Sequence, residues 1–147
     1  MKRKKKGWRI ALGLVAGFLL LNLVWYGMTT VQYQPFLAAV PEHVTGVHAM
    51  TKDGLSYNVK TPDYLSYVGN LAVSDDKAGI WLIIWPTLFG DDEYGVRIQD
   101  KQTGYELMVN DQLKLLEPDA ELQAILDRNK PEITRLVEQA KTVFPLD

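Results

Sequence analysis

Two clusters of acidic side chains are the first residues of this sequence whose type and spacing could do chemistry. Asp91, Asp92 and Glu93 stand together in one predicted loop, and Asp75 and Asp76 mark a second. Neighbouring carboxylates hold Ca²⁺, or serve as general acid and base when their pKa values are driven apart. The first cluster lacks the ligand pattern of an EF-hand loop. We keep it as a candidate cation or acid–base site, with an ordinary solvated turn as the alternative.

Histidine and cysteine offer no further reactive group. His43 and His48 are the two histidines, and a separation of five residues fits neither adjacent helical turns nor one face of a strand. The absence of cysteine excludes disulfides, thiolate zinc sites, thiol catalysis and a lipid-modified cysteine anchor. No stretch matches a nucleophile elbow, a phosphate-binding glycine loop or a metalloprotease helix. Apart from the acidic cluster at 91–93, we therefore expect no catalytic residue, no metal site and no cofactor.

A tryptophan-rich strand is the feature most indicative of binding. Residues 80–85 (IWLIIW) are apolar throughout, as in a strand contacted on both faces, and Pro86 ends the run. If helices cover the face of the even-numbered residues, the other face presents a composition typical of protein interfaces. The alternatives are that residues 36–40 and the first hairpin cover that face, or that the two faces are assigned the other way round. The predicted partner-binding residues are Trp81, Ile83, Trp85, Arg97 and Met108.

The elements that position these residues are predicted from hydrophobic periodicity. Apolar and polar residues alternate at 55–60, 67–73, 94–99 and 105–110, which is the period of half-buried strands. Turn-forming residues at 52–54 make residues 44–51 a hairpin partner of the first of these runs. The pattern predicts a small antiparallel sheet.

The C-terminal third changes to a helical period. Apolar residues recur at spacings of three and four around 122–126 and again from 133 to 143. Asn129 is placed to cap a second helix, with Glu132 as its capping-box partner. Alternatively, one helix continues and is kinked at Pro131. Strands followed by helices predict an α+β fold in which two C-terminal helices pack on the sheet.

The N-terminal segment predicts a membrane anchor. Residues 10–28 are apolar apart from Asn22, and a helix of this length spans about 30 Å, the thickness of the hydrocarbon core. Trp8 at one end and Trp25 and Tyr26 at the other carry rings that favour the headgroup layers. The alternative is a cleaved signal peptide, which has a shorter apolar region ending in small residues. Here bulky side chains end the run.

Charge is distributed unevenly along the chain. Six of the 16 basic residues precede residue 10, and all 18 acidic residues follow Met28, so residues 29–147 carry a formal charge of −8. The basic tail predicts a cytoplasmic N-terminus in the cell membrane, with the C-terminal part outside. An acidic domain repels phosphate backbones, so nucleic acid is not the expected partner. The predicted organisation is a basic tail at 1–9, a single transmembrane helix at 10–28, a stalk at 29–43 and an extracytoplasmic α+β domain at 44–147.

Gly13 and Gly17 bear on the oligomeric state, because a G-x-x-x-G pair lets two membrane helices approach closely. A weak homodimer through this pair is one interpretation, but we expect a monomeric anchor, because Asn22 lies on the opposite side of the helix and cannot support the same contact. For the whole chain we expect a non-enzymatic protein-binding or regulatory module of the bacterial cell envelope. One form of it is an immunity-type protein that neutralises a toxin acting outside the membrane. The alternative is an envelope hydrolase or transferase that uses the carboxylates of Asp91, Asp92 and Glu93.

Overall fold

The computed structural model describes residues 2–101 and 103–146, with side chains from Gly7 onward, so the basic side chains of residues 2–6 lie outside the described set. The described part of the chain forms two helices and seven strands. Their bounds are α1 (Lys2–Ala39), β1 (Glu42–Val44), β2 (Val47–Lys52), β3 (Leu55–Lys60), β4 (Asn70–Asp75), β5 (Ile80–Trp85), β6 (Glu93–Asp100), β7 (Thr103–Val109) and α2 (Ala120–Val143).

The seven strands form one antiparallel sheet in which each strand pairs with the next along the chain. The turn between β2 and β3 has Asp53 and Gly54 at φ values of 53° and 80°, as a two-residue hairpin turn of the right twist requires. The predicted α+β fold with an antiparallel sheet is confirmed. Two boundaries differ. β4 begins at Asn70, so residues 67–69 belong to the preceding loop, and the predicted partner strand at 44–51 is divided into β1 and β2, which pair with each other.

The helices cover one face of this sheet. On β5 the even-numbered residues Ile80, Leu82 and Ile84 are buried, whereas the odd-numbered residues are only half-buried. Buried residues of α2, including Leu136 and Ala140, belong to the same core. Each large apolar side chain buried in this way contributes about 1.5–3 kcal/mol to folding. The alternative assignment of the two faces is therefore wrong.

The C-terminal third is one helix, so the expectation of two C-terminal helices is corrected to one. Helix α2 begins after Asp119, whose Oδ1 accepts hydrogen bonds from the amides of Glu121 and Leu122, both at 2.9 Å. Asn129 caps nothing, since its side-chain amide donates to the carbonyl of Ile125. The helix runs through Pro131 because its apolar stripe is continuous on both sides. Packing of that stripe offsets the cost of about 3 kcal/mol for an internal proline.

Residues 29–39, which the sequence suggested as a stalk, continue α1 into the domain. Tyr33, Phe36 and Val40 are buried in the core. The Tyr33 hydroxyl oxygen accepts a hydrogen bond of 2.7 Å from the Gly69 amide, and the Phe36 ring meets Phe144 edge-on with centroids 6.2 Å apart. The spacing of three and four forms a short helical stripe that packs on the covered face. This segment therefore does not fold over Trp81 and Trp85.

The N-terminal part of α1 projects away from this core. Within the described residues, Gly7–Ala39 is the one helix long and apolar enough to cross a membrane, with a mean hydropathy of 2.0. Added Cβ atoms at Gly13 and Gly17 would meet nothing within 4 Å. Both glycines thus lie on an open helix surface, and the homodimer through them stays an interpretation.

An ion pair ties α2 to the turn after β4. Arg135 Nη2 donates to Asp75 Oδ2 at 2.6 Å, and Asp75 Oδ1 accepts from the amides of Lys77 and Ala78 at 3.0 Å. The Ala78 amide, followed by Lys77 and Arg135, holds the pKa of Asp75 below its usual value, although burial acts in the opposite direction. The ionised carboxylate therefore stabilises the fold.

The first prediction concerns the acid sensitivity that Asp75 confers. Because its pKa is lower in the folded than in the unfolded state, its contribution is complete above about pH 4 and is lost as the pH falls through the folded value. We expect Asp75→Asn to lower the free energy of unfolding at pH 7 by about 1 kcal/mol, and to lose less stability on acidification than the wild type. Denaturant titrations at pH 7 and pH 3 measure both effects. Asp76→Asn is the control, and an identical acid response of all three proteins contradicts the assignment.

A second prediction follows from the buried end of α1. A fragment of residues 41–147 lacks Tyr33, Phe36 and Val40, each worth about 2 kcal/mol of burial. That total approaches the whole stability of a small domain, about 5–15 kcal/mol. We expect this fragment to show no cooperative thermal transition by circular dichroism, whereas a fragment of residues 29–147 unfolds cooperatively. Equal melting temperatures for the two fragments would contradict this prediction and would show that residues 29–40 are a stalk that does not stabilise the domain.

Candidate functional site

The open face is the face of the sheet turned away from both helices. The strand register places Trp81 opposite Arg97, and Ile83 opposite Gly95. On the next strand pair, Gly95 stands opposite Met108. Because side chains of directly paired residues lie on the same side of a sheet, the structure brings the predicted partner-binding residues together on one face. These residues are Trp81, Ile83, Trp85, Arg97 and Met108.

Trp85 lies flat across the neighbouring strand. A Cβ added to Gly95 would lie 2.7 Å from the Cη2 and Cζ3 atoms of the Trp85 ring and 3.6 Å from the Met108 sulfur. Only glycine, which has no side chain, leaves room for the ring at this position. An aromatic residue that packs over a glycine on the neighbouring strand in this way is a known stabilising arrangement in β-sheets. The indole thereby presents a broad apolar surface whose orientation is already set. Such a group loses little conformational entropy on binding.

Arg97 and Glu106 form an ion pair across β6 and β7, where they stand directly opposite each other. Both side chains are exposed, so the pair adds little to stability in water. Its effect is on geometry, because it holds the guanidinium beside the tryptophans. The pair forms a polar border to the apolar part of the open face.

A trough of about 410 Å³ runs beside Trp81. Small side chains line it, and Trp81 and His43 stand at its sides. The sequence reasoning missed this feature, because residues on three strands become neighbours only once the register is known. The sequence feature that these residues share is that each occupies an outward-facing position on its strand. The small residues are Ala49, Ser56, Ala72 and Ser74.

The two histidines are not brought together. His43 lines the trough, whereas the Nδ1 of His48 lies 2.9 Å from the carbonyl oxygen of Val40. Across residues 2–101 and 103–146, no group of three or more histidine and carboxylate side chains could hold a metal ion. That finding includes Asp91, Asp92 and Glu93, the candidate cation site.

The acidic loop between β5 and β6 is instead a structured turn built around Thr87. The Thr87 amide donates to Asp92 Oδ1 at 3.1 Å, and its hydroxyl donates to the carbonyls of Gly90 and Asp91 at 3.1 and 3.2 Å. The loop borders a hollow of about 780 Å³, which Asp111 also lines. Burial first, and then the negative charges of this hollow, raise the pKa of Tyr94. The carboxylates thus line a concave surface on the side of α2, whose Lys141 also lines it.

The predicted membrane-anchor residues divide into two groups. Trp8 and Tyr26 are about two-thirds exposed. Trp25 instead contacts the domain, since its Nε1 donates to the carbonyl of Ser66 and its ring meets Tyr64 edge-on at a centroid distance of 5.3 Å. The C-terminal end of the apolar segment therefore contacts the loop between β3 and β4.

Comparison of the chain with protein-family models, with curated proteins and with solved structures gives no significant match. Functional inference therefore starts from the residues of the open face and their surroundings.

A third prediction tests how Trp85 is seated. We expect Gly95→Ala to displace the Trp85 ring and to lower the free energy of unfolding by about 1–3 kcal/mol, since the added methyl group occupies the place of the ring. The indole N–H signals in a two-dimensional NMR spectrum should then show one strongly shifted resonance, assigned with Trp85→Phe. Gly104→Ala is the matched control, because its Cβ meets only the flexible end of Gln99. An unmoved Trp85 signal in Gly95→Ala would contradict this packing.

Proposed function

We propose that this protein is a membrane-anchored extracytoplasmic module that binds a protein partner through its open face. In this proposal, residues 10–28 cross the cell membrane once, and the basic N-terminal tail stays in the cytoplasm. The observation that carries the proposal is the ridge formed by Trp81, Ile83 and Trp85 on the face that the helices leave uncovered, with a trough on the side of Trp81. The protein acts by binding, without catalysis.

The composition of the open face supports binding over a purely structural role. An antiparallel sheet with one solvated face ordinarily carries polar residues on that face. Here three successive outward residues of β5 are apolar, and Met108 beside them is 42% exposed. Aromatic anchors, methionine and arginine with a polar border are characteristic of interface centres. A partner that covers this face removes apolar surface from water, which favours association.

The chemistry of the partner follows from shape and charge. The trough beside Trp81 is lined by polar side chains as well as apolar ones, Asp76 among them. Together with the acidic character of the domain, −8 over residues 29–147, this favours a basic protein. Such charge complementarity accelerates encounter and weakens with added salt. A secreted basic toxin neutralised at the membrane surface fits this description, so an immunity-type role is the specific form that we propose.

The hollow beside the acidic loop favours one alternative, an envelope hydrolase or transferase. Asp91, Asp92 and Glu93 line a concave surface together with Asp111 and Tyr94, and paired carboxylates can divide into acid and base. An enzyme acting on an envelope polymer needs no lasting protein partner. The binding experiment below therefore separates the two functions.

A fourth prediction tests the open face. In crosslinking pull-downs from intact cells, we expect the full-length wild type to capture one basic extracytoplasmic protein, and the Trp81→Ala/Trp85→Ala variant to capture none. Repetition with the purified partner should give a dissociation constant raised by about 1,000-fold, as expected for the loss of two anchor residues worth about 2 kcal/mol each. The measured on-rate should fall as salt is added.

The matched control for that experiment is Phe89→Ala, which removes an aromatic side chain that is 85% exposed outside the ridge. We expect it to bind as the wild type does. Circular dichroism and thermal unfolding establish that each variant is folded. Equal binding by the double tryptophan variant would refute the open face as the site, and the absence of any captured protein would favour the hydrolase or transferase.

A further inference from the structure

The loop between β3 and β4 is unusually apolar for an exposed connection. Tyr64, Leu65, Tyr67 and Val68 are 60%, 54%, 40% and 53% exposed, whereas surface loops are ordinarily built from small and polar residues. Leu65 has a φ of 59°, in the left-handed region that glycine or asparagine normally occupies. A large apolar side chain thus stands exposed at a position that would favour a small or polar residue.

Three contacts fix this loop against α1. The Tyr64 hydroxyl donates to Asn22 Oδ1, and Trp25 Nε1 donates to the carbonyl of Ser66. At the other end of the loop, the Gly69 amide donates to the hydroxyl of Tyr33. The loop is therefore held at a defined height along the helix. It lies beside the last turns of the apolar segment.

Helix geometry sets that height relative to a bilayer. A spanning helix needs about 20 residues at 1.5 Å each, so a span that begins after Arg9 ends near Thr29. Asn22 lies seven residues earlier, so its contact with Tyr64 is about 10 Å from that end, toward the centre of the bilayer. Suppose instead that the helix left the bilayer before Asn22, so that the loop stayed in water. Residues 10–21 alone would then have to span the hydrocarbon core, but they cover only about 18 Å of its thickness of about 30 Å.

We propose that the loop of residues 61–69 is a second membrane-contact site, which seats Tyr64, Leu65, Tyr67 and Val68 at the outer boundary between headgroups and acyl chains. This inference rests on the membrane anchoring in the proposed function. Tyrosine rings favour that depth because they are apolar with one polar end, and apolar surfaces of peripheral segments reach about 5–10 Å into it.

The polar groups of the loop are compatible with that environment. The Ser66 amide donates to the carbonyl of Asp63, and the Val68 amide donates to the Ser66 hydroxyl. Asp63 itself pairs with Lys60 at 3.0 Å, so the loop brings little net charge. Backbone groups must be satisfied internally where water is scarce. A zwitterionic lipid surface is therefore the occupant that the loop fits.

The opposite end of the sheet has the contrary character. Antiparallel order places the turns after β2, β4 and β6 at the end away from this loop. These turns carry charged residues, among them Asp53, Asp76, Lys77 and Lys101. The acidic loop between β5 and β6 lies at the same end as residues 61–69, but Gln32 donates to its Pro86 carbonyl, which places that contact about 15 Å further along α1 than Asn22 and so beyond the proposed span.

The test uses nitroxide labels on the full-length protein, which contains no native cysteine. Leu65→Cys and Val68→Cys report on the loop, Leu21→Cys on the helix, and Lys77→Cys on the opposite end of the sheet. Each protein is reconstituted at one copy per phosphatidylcholine nanodisc, and its thermal unfolding is checked against the wild type. Collision rates are then measured by electron paramagnetic resonance with oxygen, which concentrates in lipid, and with a water-soluble nickel chelate.

We expect the labels at 65 and 68 to resemble the label at 21, with high oxygen collision and loss of nickel collision, and the label at 77 to show the reverse. A water-exposed loop together with a lipid-exposed position 21 would overturn the inference while leaving the anchor intact. Water exposure at positions 21 and 65 alike would overturn both. Shielding of position 65 from both reagents would show contact with protein and would overturn lipid as the occupant.

Discussion

The continuity of α1 is the constraint on which the rest of the structure depends. One helix supplies the apolar N-terminal segment and then contributes Tyr33, Phe36 and Val40 to the core of the domain. No flexible connection separates the two parts, because the stretch between them is helical and carries the contacts of Trp25 and Tyr33. The domain therefore has a fixed height and orientation relative to whatever surrounds the apolar helix. A chain with a disordered stalk would have neither.

The open face has an equally simple cause. Helix α2 and the last turns of α1 provide enough apolar surface to cover one side of a seven-stranded sheet. Since successive strand residues point to opposite sides, burying Ile80, Leu82 and Ile84 obliges Trp81, Ile83 and Trp85 to face outward. β5 is apolar on both faces, but the helices cover only one face of the sheet. The apolar side chains on its other face are therefore left uncovered. The small residues of β2 to β4 then turn that surface into a ridge and a trough.

The sequence predicted local features well and non-local ones poorly. The alternation on β6 assigned its outward residues correctly, because a period of two depends only on neighbours along one strand. On β5, which is apolar throughout, only the position of the helices decides which face is outward. The stalk was misassigned because Tyr33, Phe36 and Val40 form a short stripe around Pro35. Pro131 similarly favoured a break in α2 that packing overrode. The trough, and the contact of Tyr64 with Asn22 across 42 positions of the chain, depend on a register and a docking that no local pattern contains.

The two proposed surfaces are connected mechanically through the sheet. Strands β3 and β4 end in the loop that contacts α1, and the same strands carry part of the trough on their outward side. A domain held at two points on a membrane cannot swing freely, so its open face points in one direction. Association with a partner that is itself at the membrane then loses less rotational freedom than association with a tethered, tumbling domain. The restriction also raises the effective concentration of the site for such a partner, provided that the geometry allows both to engage. Under the two proposals together, a rigid anchor would make the open face selective for the location of a partner as well as for its chemistry.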